Sequence, residues 1–354
     1  MTADPPDRPD PPDASAPLPA ALRPRARPRR RRLLLKTLLA LALLLAALVA
    51  VAKLTLASWL PPAIARAPNA GRTVADLATR ELDDGRFVGG TSLRVDVGEP
   101  RASLALRILE PAEASTGAAL APTPATPRPR GTVFVLHGIR DSKRSMQGIA
   151  QALVARRFRV VLVDLRGHGS STGDVMSYGP REGKDLHEVA DALASRGLLE
   201  GAVGAYGPSY GGAAALAFAR EDARVTAVVT VATFSRMRDV VPLYVHRALP
   251  RWFASDADVE RAMARAAELA GTAATDADSV AAIRATGADV LLVHGKADRH
   301  IPWQQSEALH DAAPDRARLF YVDDRDHFTV MADPRVTAEA AAFFEAHLVA
   351  APAE

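Results

Sequence analysis

The chain contains no cysteine in its 354 residues. That absence excludes disulfides, thiolate zinc sites, iron–sulfur clusters and a cysteine nucleophile, and leaves the redox compartment open. The body also lacks any excess of positive charge. The formal net charge is +3, but residues 1–53 hold eight Arg and two Lys against four Asp, so the remaining 301 residues are net −3. A body that binds nucleic acid needs a cationic face of its own, so nucleic acid is not expected as a partner. Residues 1–28 have almost no large apolar side chains and contain nine prolines. Such a stretch cannot bury enough surface to offset its ordering entropy, and residues 1–32 are expected to form a disordered, basic, Pro-rich cytoplasmic tail.

Directly after the run Arg29–Arg32 comes an apolar stretch, Leu33 to Leu60, broken only by Lys36 and Lys53. It has no polar face, which a core helix of a soluble domain would show. Its uncharged centre, Thr37 to Ala52, is 16 residues long, about 24 Å of helix. Amines at both ends can reach the headgroups, and Trp59 suits an interfacial belt, so residues 33–60 are expected to span a membrane as a signal anchor. A cleaved signal peptide is the competing expectation. Ala50-Val51-Ala52 and Ala63-Ile64-Ala65 both have the small-x-small form, and Arg31–Lys36 loosely resembles a twin-arginine signal. The long segment ahead of the apolar run and its richness in leucine favour the anchor. On either reading the arginines stay cytoplasmic and the body lies outside the membrane, anchored or secreted.

Residues 61–90 read as a juxtamembrane spacer with a short helix over 74–82. Strands are expected over Ser92–Val97 and Ala102–Leu109. Residues 110–130, with prolines at 111, 122, 124, 127 and 129, read as an extended linker. From Gly131 the pattern changes to short apolar runs, Thr132–Leu136, Arg159–Val163, Ala202–Tyr206, Val225–Val231, Val290–Val293 and Leu319–Val322. Helix-like stretches lie between them near 144–156, 181–195, 210–220, 303–312 and 335–348. Continuous Val/Leu runs alternating with helices predict an α/β domain over 91–350, a mostly parallel twisted sheet with helices on both faces. In such sheets the chemistry sits just past the carboxyl ends of the strands.

After Ala202–Tyr206 stands Gly207-Pro208-Ser209-Tyr210-Gly211, a G-x-S-x-G sequence between a strand and a helix, which makes Ser209 a candidate nucleophile. A serine hydroxyl needs a base to take its proton, and the base needs an acid to hold it. Asp298 follows the run Val290–Val293, and His327 follows Leu319–Val322. Ser209, Asp298 and His327 thus occur in that order, each past its own strand. His137-Gly138-Ile139-Arg140 follows Thr132–Leu136 as a small turn. It makes the N–H groups of Tyr210 and Ile139 the candidate oxyanion donors, with Arg140 an alternative second donor.

On these motifs, together with Asp164-Leu165-Arg166-Gly167-His168-Gly169-Ser170-Ser171 and Ile301-Pro302, the chain resembles the α/β-hydrolase-fold serine hydrolases. It is most similar to the bacterial serine-aminopeptidase-like and esterase-like group. The resemblance covers roughly residues 90–350. It implies a Ser–His–Asp triad, an acyl-enzyme and no cofactor. The chain departs from the family at Asp324, where members often carry a glycine, so a looser histidine loop is expected. The serine sets it apart from dehalogenases and epoxide hydrolases of this fold, which use aspartate. The glycines at 167, 169 and 173 have the wrong spacing for a dinucleotide site and are not followed by an immediate helix. His294, Asp298 and His300 imitate a metal cluster, but their segment reads as strand then loop, and no metal is expected. His137 reads as bonding within the oxyanion turn, and His168 as a loop residue shaping the site. Residues 232–288, rich in aromatic and apolar side chains, are too long for an ordinary connection and fit either a cap over the site or a crossover with an extra helix pair.

The expected activity is hydrolysis of carboxylic esters, with a small-molecule or lipid-like ester as substrate. A peptidase or thioesterase with the same triad is the alternative within the enzyme class. A non-catalytic binding module on the same fold, or a tethered partner protein using its Pro-rich tail, are the alternatives outside it.

Overall fold

The computed structural model describes residues 28–83, 89–111 and 128–348. The expectations for residues 1–27 of the N-terminal tail and for most of the 110–130 linker fall outside them, whereas residues 28–32, expected to belong to the disordered tail, are the first residues of a helix. The chain divides into two units, residues 1–54 and 55–354.

In the first unit, helix α1 (Pro28–Ala65) begins. Its leucines from Leu33 to Leu54 are all exposed. An 18-residue window of this helix has mean hydropathy 2.6 and none of it is buried, so by length and composition it can cross a membrane.

The second unit is built on one eight-stranded sheet in the order β1-β2-β4-β3-β5-β6-β7-β8. The strands are β1 (Thr91–Val97), β2 (Ala102–Leu109), β3 (Gly131–Leu136), β4 (Arg159–Val163), β5 (Ala202–Pro208), β6 (Val225–Val231), β7 (Asp289–Gly295) and β8 (Ala317–Val322). The β1–β2 and β2–β4 pairs are antiparallel. All other neighbours are parallel. Successive side chains of a strand point to opposite faces, and the central strands are apolar at both parities, so they supply two cores. Phe134, Leu136, Val161, Val163, Val228 and Leu292 pack on one face with Leu186, Val189, Leu193 and Phe218. The last four come from α4 (Pro180–Ala194) and α5 (Tyr210–Glu221). Val133, Val135, Val160, Leu162, Val229 and Leu291 face the other way, against Leu153 and Phe344 of α3 (Gln147–Ala155) and α10 (Pro334–His347). This is the architecture that the resemblance implies.

Between β6 and β7 the chain forms α6 (Met237–Ala248), α7 (Asp256–Leu269) and α8 (Ser279–Ala285). Helix α9 (Gln304–His310) follows β7. Ser255 starts α7 with a reciprocal cap: its hydroxyl accepts from Asp258 N–H, and the Asp258 carboxylate accepts from Ser255 N–H.

The segment expected to be a spacer is part of this unit. Helix α1 does not stop at Leu60 but runs through Pro61 and Pro62 to Ala65. Each proline removes a helical N–H. Burial offsets that loss: Leu60, Ile64 and Ala65 join Val245, Val259 and Met263 in a buried cluster. Beyond it, Ala67 N–H donates to the Asp174 carbonyl, and the Asn69 amide donates to the carbonyls of Gly169 and Ser171. Leu77, in α2 (Val74–Asp83), is fully buried. Composition marks 61–90 as a tether, but Ile64, Ala65, Ala67 and Leu77 within it are buried.

Candidate active site

Ser209 sits between the end of β5 and the start of α5. Its φ is 50° and its ψ −115°, a conformation that costs a side-chain-bearing residue on the order of 1–3 kcal/mol. The turn is held by Ser209 N–H donating to Val231 O at 2.7 Å and Gly212 N–H donating to Ser209 O at 3.0 Å. The flanking glycines permit the close approach. A Cβ on Gly207 would lie 2.2 Å from Gly211 C, and one on Gly211 would lie 2.6 Å from His137 O. Ser209 N–H is already committed, and Tyr210 N–H, as the first of α5, has no intrahelical partner.

His137 anchors the facing turn. Its Nδ1 lies 2.7 Å from Gly138 O, and its Nε2 accepts from Leu165 N–H at 3.0 Å. These contacts fix a neutral ring, protonated on Nδ1. Burial, the largest influence, pushes its pKa down. The turn then passes through Arg140 at φ 59°. Ile139 and Arg140 line the same cavity as Ser209 and Tyr210.

Asp298 and His327 come from the loops after β7 and β8, which pair in register through His294–Tyr321 and Gly295–Val322. His327 Nδ1 lies 2.7 Å from Asp298 Oδ2. Asp298 Oδ1 accepts from the N–H groups of His300 and Ile301 at 2.7 and 2.9 Å. Burial alone would raise the Asp298 pKa. Hydrogen bonding with His294 and His327 and the Ile301 N–H outweigh it, and the carboxyl is held well below the usual carboxylate range. The His327 ring stands 5.6 Å from His300, which stands 6.4 Å from Tyr244, and Tyr244 lines the Ser209 cavity.

The looser histidine loop expected from Asp324 is not what the structure shows. Asp324 is absent from the residues of positive φ, so no glycine is needed there. Its carboxylate accepts from Arg325 and Arg335. Asp326 Oδ1 accepts from the N–H groups of Phe328 and Thr329, closing the turn that carries His327.

Two features of the site escape the sequence reading. His294 is weighed there as a metal mimic and as part of the His294–Asp298 stretch that carries the resemblance, with no role of its own. It is in fact fully buried, its Nδ1 2.7 Å from Ser306 Oγ and its Nε2 2.9 Å from Ile301 O and 3.4 Å from Asp298 Oδ2. The signal available was a histidine directly continuing the buried run Val290–Val293. The second feature is the cavity itself, of about 410 Å³. It is lined by α6 residues such as Val240, Val241 and Tyr244, and also by Trp59, Leu60, Ala63 and Ile64 from the end of α1.

The sheet, the serine turn and the residues around it define a class, the serine hydrolases of the α/β-hydrolase fold. A family model described as X-Pro dipeptidyl-peptidase (S15 family) matches residues 90–316, and the chain belongs to that family. The match includes Ser209 and Asp298; His327 lies beyond its end. The chain is 26% identical over 208 residues to YfhR, an uncharacterized protein of Escherichia coli O157:H7, covering 57% of this chain and 64% of that one. It is 25% identical over 201 residues to YqkD, an uncharacterized protein of Bacillus subtilis (strain 168), covering 55% and 64%. The chain thus spans just under two thirds of the length of these relatives. Among solved structures, an esterase of Pyrococcus furiosus superposes with a TM-score of 0.57 at 16% identity, over 80% of this chain and 98% of that one. A puromycin-hydrolyzing peptidase of Mycobacterium tuberculosis does so with a TM-score of 0.54 at 19% identity, over 73% and 39%. At these identities the likeness is one of fold.

Proposed function

We propose that the protein is a membrane-anchored esterase whose triad is Ser209, His327 and Asp298. Ser209 Oγ attacks the ester carbonyl while His327 Nε2 takes its proton, and Asp298 orients the ring and stabilises its charged form. The N–H groups of Tyr210 and Ile139 hold the oxyanion. The tetrahedral adduct collapses as His327 returns the proton to the departing alkoxide, leaving an acyl-Ser209. Water, deprotonated by His327, then attacks the acyl carbonyl and releases the acid and the free serine. No step calls for a cofactor. The supporting observations are the 2.7 Å Asp298–His327 hydrogen bond and a serine turn that opens on an apolar cavity. The apolar stretch of α1 acts as the anchor, with the catalytic unit outside the cytoplasm.

Family membership favours a second reading, a peptidase that removes dipeptides. Such an enzyme has to hold the free ammonium of its substrate, most simply with a carboxylate. Among the described residues lining the Ser209 cavity the only charged side chain is Arg140. The cavity therefore favours an apolar acyl group over a peptide amino terminus.

The deciding experiment compares p-nitrophenyl esters of increasing chain length with an X-Pro p-nitroanilide on the full chain, beside Ser209→Ala. Ester turnover that falls by at least 10⁴-fold in the variant is expected, with the fold intact by circular dichroism. Turnover of the anilide alone would favour the peptidase. Ester turnover that survives in Ser209→Ala would sink the triad assignment.

A further inference from the structure

The Ser209 cavity has a wall that the sheet and its own helices do not supply. Trp59, Leu60, Ala63 and Ile64, the last turns of α1, line it. They are fixed there: Tyr178 Oη donates to Ile64 O at 2.8 Å, and Leu60 and Ile64 are buried against the helices that follow β6. Tyr178 lines the same cavity and is held at φ 60°. The chain segment that leaves the apolar stretch is thus the segment that closes the substrate pocket.

The rim of this cavity has the composition of a membrane-facing surface. Beyond α1, the exposed large apolar side chains among the described residues are Val74, Ile139, Tyr244, Trp252, Leu269 and Phe328. Three of these six, Ile139, Tyr244 and Phe328, belong to the site or border it. Ile139 and Tyr244 line the cavity. The Phe328 ring is 5.3 Å from His327. Trp252, 72% exposed, follows the cavity-lining Leu249 by three residues. Trp59, also on the wall, is 62% exposed. Amphipathic aromatic rings of this kind are enriched at membrane–water interfaces, and contiguous exposed apolar side chains on a soluble surface mark an interaction site. Arg247 lies 5.6 Å from the centre of the Tyr244 ring, adding positive charge at the rim.

Chain length limits how far this rim can stand from a bilayer. Trp59 lies seven positions after Ala52, the end of the uncharged stretch. Even fully extended, the chain between them reaches only about 25 Å. The wall of the pocket therefore cannot leave the neighbourhood of the lipid that holds the anchor.

We infer that the rim of the Ser209 cavity docks on the bilayer that holds α1, and that the substrate is a long-chain acyl ester dissolved in that bilayer, its chain received against Trp59, Leu60, Ala63 and Ile64. This inference rests on the esterase reading and adds the substrate class and its route. Such an ester need not pass through water, where the transfer of each methylene is unfavourable by about 0.8 kcal/mol.

The test uses the full chain in phosphatidylcholine nanodiscs with two fluorogenic esters, 4-methylumbelliferyl acetate in water and 4-methylumbelliferyl palmitate in the disc. Both are expected to be cleaved, and only with Ser209 present. The double substitution Trp252→Ser with Phe328→Ser should lower kcat/KM for the palmitate at least fivefold relative to the same variant's value for the acetate. In discs of brominated phosphatidylcholine, the Trp252 emission, taken as wild type minus Trp252→Phe, should be quenched by at least a third. Acetate cleavage without palmitate cleavage, an unchanged ratio, or the absence of quenching would each overturn the inference and leave the esterase reading standing. A rim that covers a protein partner instead would give those same negative results. Failure to cleave either ester would remove the esterase reading, and this inference with it.

Discussion

Two buried clusters flank Ser209, and each pairs histidine with aspartate. In one, at the ends of β7 and β8, Asp298 contacts His327 while His294 stands behind it. In the other, at the ends of β3 and β4, Asp164 accepts from Lys143 Nζ at 2.6 Å and from the N–H groups of Lys143 and Ser170, beside His137 and His168. Burial is the same in both: Asp298 is 5% exposed and Asp164 1%. What differs is the partner of the acid and the commitments of the rings. Asp164 is neutralised by an ammonium, and His137 uses both nitrogens on the backbone. Among the described contacts no Lys or Arg pairs with Asp298, and among the described hydrogen bonds His327 uses only Nδ1. Burial next to an aspartate therefore does not make a histidine a base. An acid with no Lys or Arg partner on one nitrogen and a second nitrogen left open are what a base requires, and the proposed role of His327 rests on that difference.

The comparison breaks most readily at Asp298. Asp298→Asn keeps the shape but removes the acceptor that selects the Nδ1–H tautomer and stabilises the imidazolium. Ester turnover should fall by about 10⁴-fold, with little change in melting temperature. A melting temperature that collapsed while the residual folded enzyme kept its rate would assign this cluster to structure instead.

The mirror experiment is Lys143→Met. It leaves the Asp164 carboxylate, 1% exposed, without its cation. Removing one partner of a buried pair costs about 3–5 kcal/mol, so the urea midpoint should drop sharply. The rate per folded molecule should change by less than about threefold, since neither group is among the residues that line the Ser209 cavity. A large loss of rate at unchanged stability would contradict the division drawn between the clusters.

How far these clusters can be read in the sequence follows from distance along the chain. The strand runs are legible because the buried strands are apolar at both parities. The run Arg159–Val163 is reproduced residue for residue by β4. Asp298 and His327 stand out because each follows such a run, and the structure brings them into hydrogen-bond contact. Lys143 and Asp164 are 21 residues apart, and nothing local marks them as a pair. The pocket wall at 59–64 is hidden for another reason. Its residues are as apolar as the stretch they continue, so composition assigns them to the membrane flank while packing assigns them to the catalytic unit. The expected helix over 303–312 is shorter, Gln304–His310. The dipeptide Ile301-Pro302 before it is tied to Asp298 and His294 through Ile301.

The smallest expected effect separates the clusters by pH. Burial, followed by the neighbouring His137, pushes His168 down to about 3, against about 6.5 in an unfolded chain. Between those values the unfolded state binds the proton that the folded state refuses. Stability is therefore complete above about pH 6.5 and is lost as pH falls toward about 3. At pH 5.5 this one histidine should cost about 1.4 kcal/mol relative to pH 7.5. His168→Asn keeps a donor toward Arg166 O, which His168 Nδ1 contacts at 2.8 Å, and cannot be protonated. Urea unfolding at the two pH values should show the variant losing less stability than wild type by about that amount. Asp298, held below the usual carboxylate range, has the opposite origin but the same direction. Its contribution is present above about pH 4 and disappears only as pH falls further, through its depressed value in the folded state. A difference between wild type and His168→Asn that opens between pH 7.5 and 5.5, where Asp298 stays ionised in both states, belongs to the scaffold cluster alone. Equal losses in the two proteins would mean that His168 is reached by water, and the contrast between the clusters would then rest on Lys143 only.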